Sequence, residues 1–287
     1  MYQKRNSIGM TLIELMLSLT ISFLLISGVF QMYLTAENNQ HLQSSLTLLQ
    51  ENAMMMTQVL KNRLRAVAFT GCAKLTDDFP FTNHLPFPLN PENRITAYES
   101  SQIKPGTDAI RIWSFNPAGD FLLKKMTGHS VLYVSSGVAF KTNDYLAISD
   151  CKTTETFRAA NVFEAGENQQ KIITDKPLEK LYDKQAEINQ VEIDTYFVGK
   201  TERVDEKNQP IDALFSENIH GDTMEIAEGV SEMKITFSTQ AGNQLMELPV
   251  HEIKQAENVK GISFDFDLTA VSRARLNKKW NIYVALP

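Results

Sequence analysis

Of the side chains able to do acid–base, nucleophilic or metal chemistry, few in this 287-residue sequence fall into a pattern. The five histidines, His41, His84, His129, His220 and His251, are scattered, and His251-Glu252 lacks the second histidine of an H-E-x-x-H zinc helix. They read as surface or turn residues. Asp265 and Asp267 lie on the polar side of an alternating strand, where solvated carboxylates are the rule. The stretch Glu202-Arg203-Val204-Asp205-Glu206-Lys207-Asn208 reads as a solvated turn and not as a calcium loop. Without a glycine-rich phosphate loop, nucleophile elbow or CxxC pair, the expectation is no catalytic residue, no metal, no cofactor and no enzyme. Cys72 and Cys151 are too few for a disulfide scaffold or a four-cysteine zinc site, so they are one bridge or two buried thiols. Lys plus Arg at 28 against Asp plus Glu at 34 gives a net charge of −6, which argues against nucleic acid as a partner.

One carboxylate stands in a place that demands explanation. Met10 to Leu34 is a run of 25 residues whose single charge is Glu14, long enough to cross a hydrocarbon core of about 30 Å as a helix. Lys4 and Arg5 precede the run and no basic residue follows it until Lys61, so the positive-inside bias puts the N-terminus in the cytoplasm and exports the rest. A cleaved secretory signal with a site near Ser27 and Gly28 is the alternative. Its apolar core normally holds no ion, whereas an unpaired carboxylate at Glu14 costs ~2–3 kcal/mol or more.

The junction Gly9-Met10-Thr11-Leu12-Ile13-Glu14-Leu15 resembles the signature of type IV prepilins and pseudopilins. The resemblance implies cleavage between Gly9 and Met10 by prepilin peptidase and N-methylation of Met10. It also implies that Glu14 serves assembly by pairing with an N-terminal amine when subunits stack. Pairing removes much of the penalty of burying either charge alone. Export then places Cys72 and Cys151 in an oxidising compartment with no competing cysteine, and a disulfide between them is expected.

The elements that carry these residues are legible from their periods. Leu42, Leu46, Leu49, Ala53, Met56, Leu60, Leu64 and Val67 recur at steps of four and three, one face of a helix. No proline occurs before Pro80, so Met10 to about Ala68 reads as one helix of roughly 90 Å, apolar all round in its first half and amphipathic in its second. Met54-Met55-Met56 reads as gap-filling core. Residues 71–107, with five prolines among Asn, Thr and Ser, read as an irregular connection. Strands follow. Ile262 to Leu268 alternates strictly, Met233 to Ser238 and Val191 to Asp194 repeat the pattern, and 109–115, 130–135, 144–149, 156–163 and 280–286 are further candidates. No helical period separates them, so the fold class is α+β, one long N-terminal helix packed on a mostly antiparallel sheet, with a second sheet. The division is leader 1–9, transmembrane half of the helix 10–34, amphipathic half 35–70 and periplasmic β-rich domain 71–287.

Leu49-Gln50-Glu51-Asn52-Ala53, Leu60-Lys61-Asn62-Arg63-Leu64-Arg65-Ala66 and Gly71-Cys72 resemble the helix of PilW-type minor pilins. So do Asn143 to Cys151 with its Ser-Asp-Cys ending, Glu228 to Ile235, and Asn281 to Leu286. The resemblance implies a type IV pilin-like fold and a subunit that helps initiate or cap a type IV pilus by inserting its helix among other minor pilins and the major pilin. It further implies an inner-membrane stage, prepilin peptidase as a processing partner, and a pilus-tip adhesin as a neighbour. A minor pseudopilin of a type II secretion system shares the leader and helix and is the alternative. A membrane-anchored periplasmic enzyme or ligand-binding domain would need a convergent polar pocket that the sequence does not display.

Overall fold

A computed structural model describes residues 11–286 of the chain, apart from 68, 72, 77, 206–207, 242–243, 253–258 and 271–275. Helix α1 runs Leu12–Ala66, 55 residues, or about 80 Å at 1.5 Å per residue. Neither proline nor an interior break interrupts it, and Arg63 and Arg65 in its last turn complement the negative end of the helix dipole. The expected end near Ala68 moves back to Ala66, and Met10 lies outside the described residues. Beyond the helix the chain reverses through Gly71, whose φ of +73° suits glycine and where a Cβ would collide with the Glu187 carboxylate.

The strands begin in the stretch expected to be irregular, with β1 (Phe81–Asn83) and β2 (Ile95–Ala97). There follow β3 (Ile110–Phe115), β4 (Asp120–Phe121), β5 (Val131–Ser135), β6 (Tyr145–Ser149), β7 (Thr154–Glu164) and β8 (Gln169–Thr174). The 18-residue β9 (Glu187–Val204) leads to β10 (Pro210–Glu217), β11 (Thr223–Glu228), β12 (Val230–Ala241), β13 (Gln244–Pro249), β14 (Val259–Thr269) and β15 (Asn277–Ala285). They form two sheets, one of 11 strands along the path β11-β10-β9-β6-β7-β8-β5 and one of four in the order β13-β12-β14-β15. Among the described residues only β1 pairs in parallel, with β7. The molecule is thus α+β with two mostly antiparallel sheets.

The large sheet closes on itself at one end. β4 pairs with β9, and the residues after it join β5 through the Leu122–Val134 bridge and Leu123 N donating to Tyr133 O at 2.8 Å. The circuit β9-β6-β7-β8-β5-β4 is a small barrel, filled by Leu132, Val134, Leu146, Phe157, Ile172 and Ile188. The rest of the large sheet and the inner face of the small one enclose the second half of α1. Leu49, Ala53, Met56, Leu60, Leu64 and Val67 share one core with Tyr196 and Val198 of β9, Phe264 and Phe266 of β14 and Ile282 of β15. From Leu49 onward the helical stripe therefore packs on the chain's own sheets, as its period predicts, whereas Leu42 and Leu46, expected in the same stripe, are exposed. Met56 is fully buried in that core, but Met54 and Met55 are exposed, a correction to their reading as core.

Candidate functional site

The helix starts on Thr11, whose extended backbone makes it the N-cap. Its hydroxyl accepts from Glu14 N at 3.4 Å, and the Glu14 carboxylate accepts from Thr11 N and from Thr11 Oγ1, both at 2.9 Å. This is a capping box: two backbone donors that the first turn would otherwise orphan find acceptors. The sequence suggests a carboxylate with no partner in its own chain, but the structure supplies two donors one turn away. The signal was present as Thr-x-x-Glu ahead of an apolar run. Gly9 and Met10, the expected cleavage and methylation positions, lie outside the described residues, as does Cys72. Cys151 is disulfide-bonded.

Behind the cap, the apolar side chains from Leu12 to Leu34 are exposed, and none of the most apolar helical window is buried in the protein. It is the one helix among the described residues long and apolar enough to cross a membrane, consistent with single-pass anchoring. Burial begins only at Ser45. From there α1 is tied to the sheets by polar contacts as well as packing. Asn52 Nδ2 donates to Glu228 O at 3.0 Å, and Trp280 Nε1 donates to Thr57 Oγ1 at 3.1 Å. Arg63 reaches two carboxylates of β9, Glu192 and, at 3.1 Å, Asp194. Burial lifts the Asp194 carboxyl above its ordinary range, even though the guanidinium pulls the other way. Burial likewise raises the phenol of Tyr196, with the Asp194 charge adding to it.

A second polar cluster, not anticipated from the sequence, sits at one end of the barrel. The Glu155 side chain, 2% exposed, accepts from Glu179 N at 2.7 Å and Lys180 N at 3.0 Å and pairs with His84 Nε2 at 3.0 Å. Beside it the fully buried Tyr182 has a hydroxyl without a hydrogen-bond partner among the described residues. Burial and then the Glu155 charge hold that phenol far above its usual range, hence neutral. Lys180 also pairs with Asp150, next to the bridged Cys151. Burial opposes the ionised form of Asp150, but hydrogen bonds from Lys180, Lys152 N and Thr153 N outweigh it and keep its pKa low. Glu155 is sealed and its oxygens are engaged, so the cluster ties the strap at His84, β7 and the 179–182 loop together.

Of the histidines, His41, His129, His220 and His251 are exposed as expected, whereas His84 is half-buried against Glu155 and corrects that reading. Asp265 and Asp267 lie on the outer side of β14, bound to Asn281 and near Lys279. Among the described residues no group of three or more His, Cys, Asp or Glu could hold a metal. No family model matches the chain, and no match to it was found among curated proteins or solved structures.

Proposed function

We propose that this chain is a membrane-anchored filament subunit of the type IV prepilin kind, a PilW-type minor pilin that helps initiate or cap a pilus by inserting α1 among the helices of other pilins. It is not an enzyme. The observation that carries the reading is the division of α1. One continuous helix begins two residues after the Gly9-Met10 junction, exposes an apolar membrane-length half, and buries the stripe of its other half under the chain's own sheets. An anchor needs only the first half, since a bare span followed by a flexible linker would hold a periplasmic domain equally well. Rigid continuity into the domain core is what a subunit needs if lateral packing of its helix is to fix where its globular part sits. The carboxylate of Glu14, at the cytoplasmic entry of the span, is the group for an incoming N-terminal amine.

The test is the mature N-terminus. Mass spectrometry of the chain from cells with prepilin peptidase is expected to show N-methylated Met10 as the first residue, and the unprocessed chain where the peptidase is deleted. An intact Met1 in both strains, or cleavage near Gly28, would overturn the reading.

A further inference from the structure

Asn62, Arg65 and Ala66, spaced by three and four at the end of α1, share one side of the helix, away from the buried stripe of Leu60 and Leu64. With Phe69, which follows the helix and is 56% exposed, they line an open cleft of about 410 Å³ together with the turn at 115–117 and the start of β9. Its size takes a small-molecule ligand. Glu187 and Asn189, two apart on β9, lie on one face of the strand, and Phe115 sits opposite Val191 on that same face. Phe69 and Pro117 present apolar surface to solvent there, and Phe115 is buried.

Two opposite charges line this cleft and neither is neutralised. The Arg65 side chain has no hydrogen-bond or ion-pair partner among the described residues. Glu187 accepts from Asn189 Nδ2 at 3.0 Å and meets no cation among them. Its carboxylate has room because a Cβ on Gly71 would overlap it. Asn189, 2% exposed, donates from Nδ2 to Asn116 O as well, also at 3.0 Å. Two acceptors on that side fix which amide atom is the nitrogen. Oδ1 is then the atom without a partner among the described residues, and it is not sealed from the cleft that Asn189 lines. A plain anion would meet the Glu187 carboxylate unfavourably, and a simple amine would meet Arg65 in the same way. A compound that carries both charges satisfies both sides.

We infer that this cleft binds a free amino acid with an apolar side chain, its ammonium donating to the Glu187 carboxylate and Asn189 Oδ1, its carboxylate held by Arg65, and its side chain against Phe69 and Pro117. An ammonium has three donors and suits two converging acceptors. A guanidinium presents a planar fork that matches a carboxylate. An aromatic side chain gains further from edge or offset contact with the Phe69 ring. This inference does not rest on filament assembly, because no group of the membrane-length half of α1 takes part in it.

Three probes separate the charges: L-phenylalanine, L-phenylalaninamide, which lacks the carboxylate, and phenylpropionate, which lacks the ammonium. The full chain is held in detergent micelles at about pH 6, where α-amines are charged. Saturation-transfer NMR is expected to label the ring protons of phenylalanine, with binding at least about fivefold tighter than that of either analogue. Arg65→Gln should erase the preference over the amide. Glu187→Gln, which keeps an acceptor for Asn189 Nδ2, should erase the preference over phenylpropionate, and both variants should melt like the parent. No transfer to phenylalanine, equal affinity for all three probes, or a preference that survives its matching substitution would each overturn the inference. Because Arg65 is exposed, its variant remains decisive even if Glu187→Gln fails to fold.

Discussion

At the scale of single residues, two carboxylates separate charge from hydrogen bonding. Glu14 accepts from Thr11 N, a task that glutamine at the same position performs equally well in a capping box. Glu14→Gln therefore keeps the helix cap and deletes only the charge. If the proposed role in assembly is right, the variant is expected to be processed normally and to melt like the parent, while surface pili counted by electron microscopy fall several-fold in a strain lacking the native copy. Normal pilus numbers would show that the charge is dispensable. Asp194 runs in the opposite direction. Its pKa is raised by burial against the pull of Arg63, so the fold favours the protonated form. Stability withheld while the group is charged returns as pH falls through that raised value. Asp194→Asn mimics the neutral state and leaves Glu192 to Arg63. At pH 7 it is expected to melt at or slightly above the parent, and the gap should close on acidification. Urea midpoints at pH 7 and pH 4.5 check this, and a variant markedly less stable at pH 7 would refute it.

At the scale of elements, legibility followed periodicity. The helix stripe could be read because Leu60 and its neighbours face one core at steps of three and four, and β14 because Ile262, Phe264, Phe266 and Leu268 point inward while Asp265 points out. Leu60→Ala is accordingly expected to cost about 2–5 kcal/mol, against about 0.5 kcal/mol or less for Leu48→Ala on the exposed side of the same helix, both read from urea midpoints. The missed strands had no such contrast. β8 places Gln170 and Thr174 inward beside Ile172, with Lys171 and Ile173 on the other side, so polarity does not track burial. β10 buries Ala213 and Leu214 in succession because one face meets the helix core and the other the 101–105 loop, which erases the period of two. The strap before β2 looked irregular because its pairing partner, β7, lies more than 70 residues on in sequence. The Glu155 cluster was illegible for the same reason: His84, Glu155 and Lys180 come from three distant segments, and only the fold makes them neighbours.

At the scale of the whole molecule, the helix on two antiparallel sheets was accessible from pattern alone, but the barrel was not, since its closure depends on a two-residue strand and a single bridge at Leu122. Of the three cores among the described residues, the two larger ones, around α1 and inside the barrel, both draw on β9, and the smaller one, where Leu75, Leu85 and Leu89 meet Trp113 and Phe115, takes Val191 from it. The first residues of β9 pair with β6 and β4, and its later ones with β3 and β10. A chain with two large cores is ordinarily free to lose one before the other, through a half-melted intermediate. Here neither core can come apart without fraying a continuous 18-residue strand on which the other depends, so they should disappear together. Calorimetry of the full chain in detergent is expected to give one endotherm for the β-rich part, with van't Hoff and calorimetric enthalpies that agree; two resolved transitions would show the cores to be independent. The expected consequence of one shared strand is that sheet, barrel and helix unfold as a single cooperative unit, without a partly unfolded species to aggregate or to be clipped by proteases.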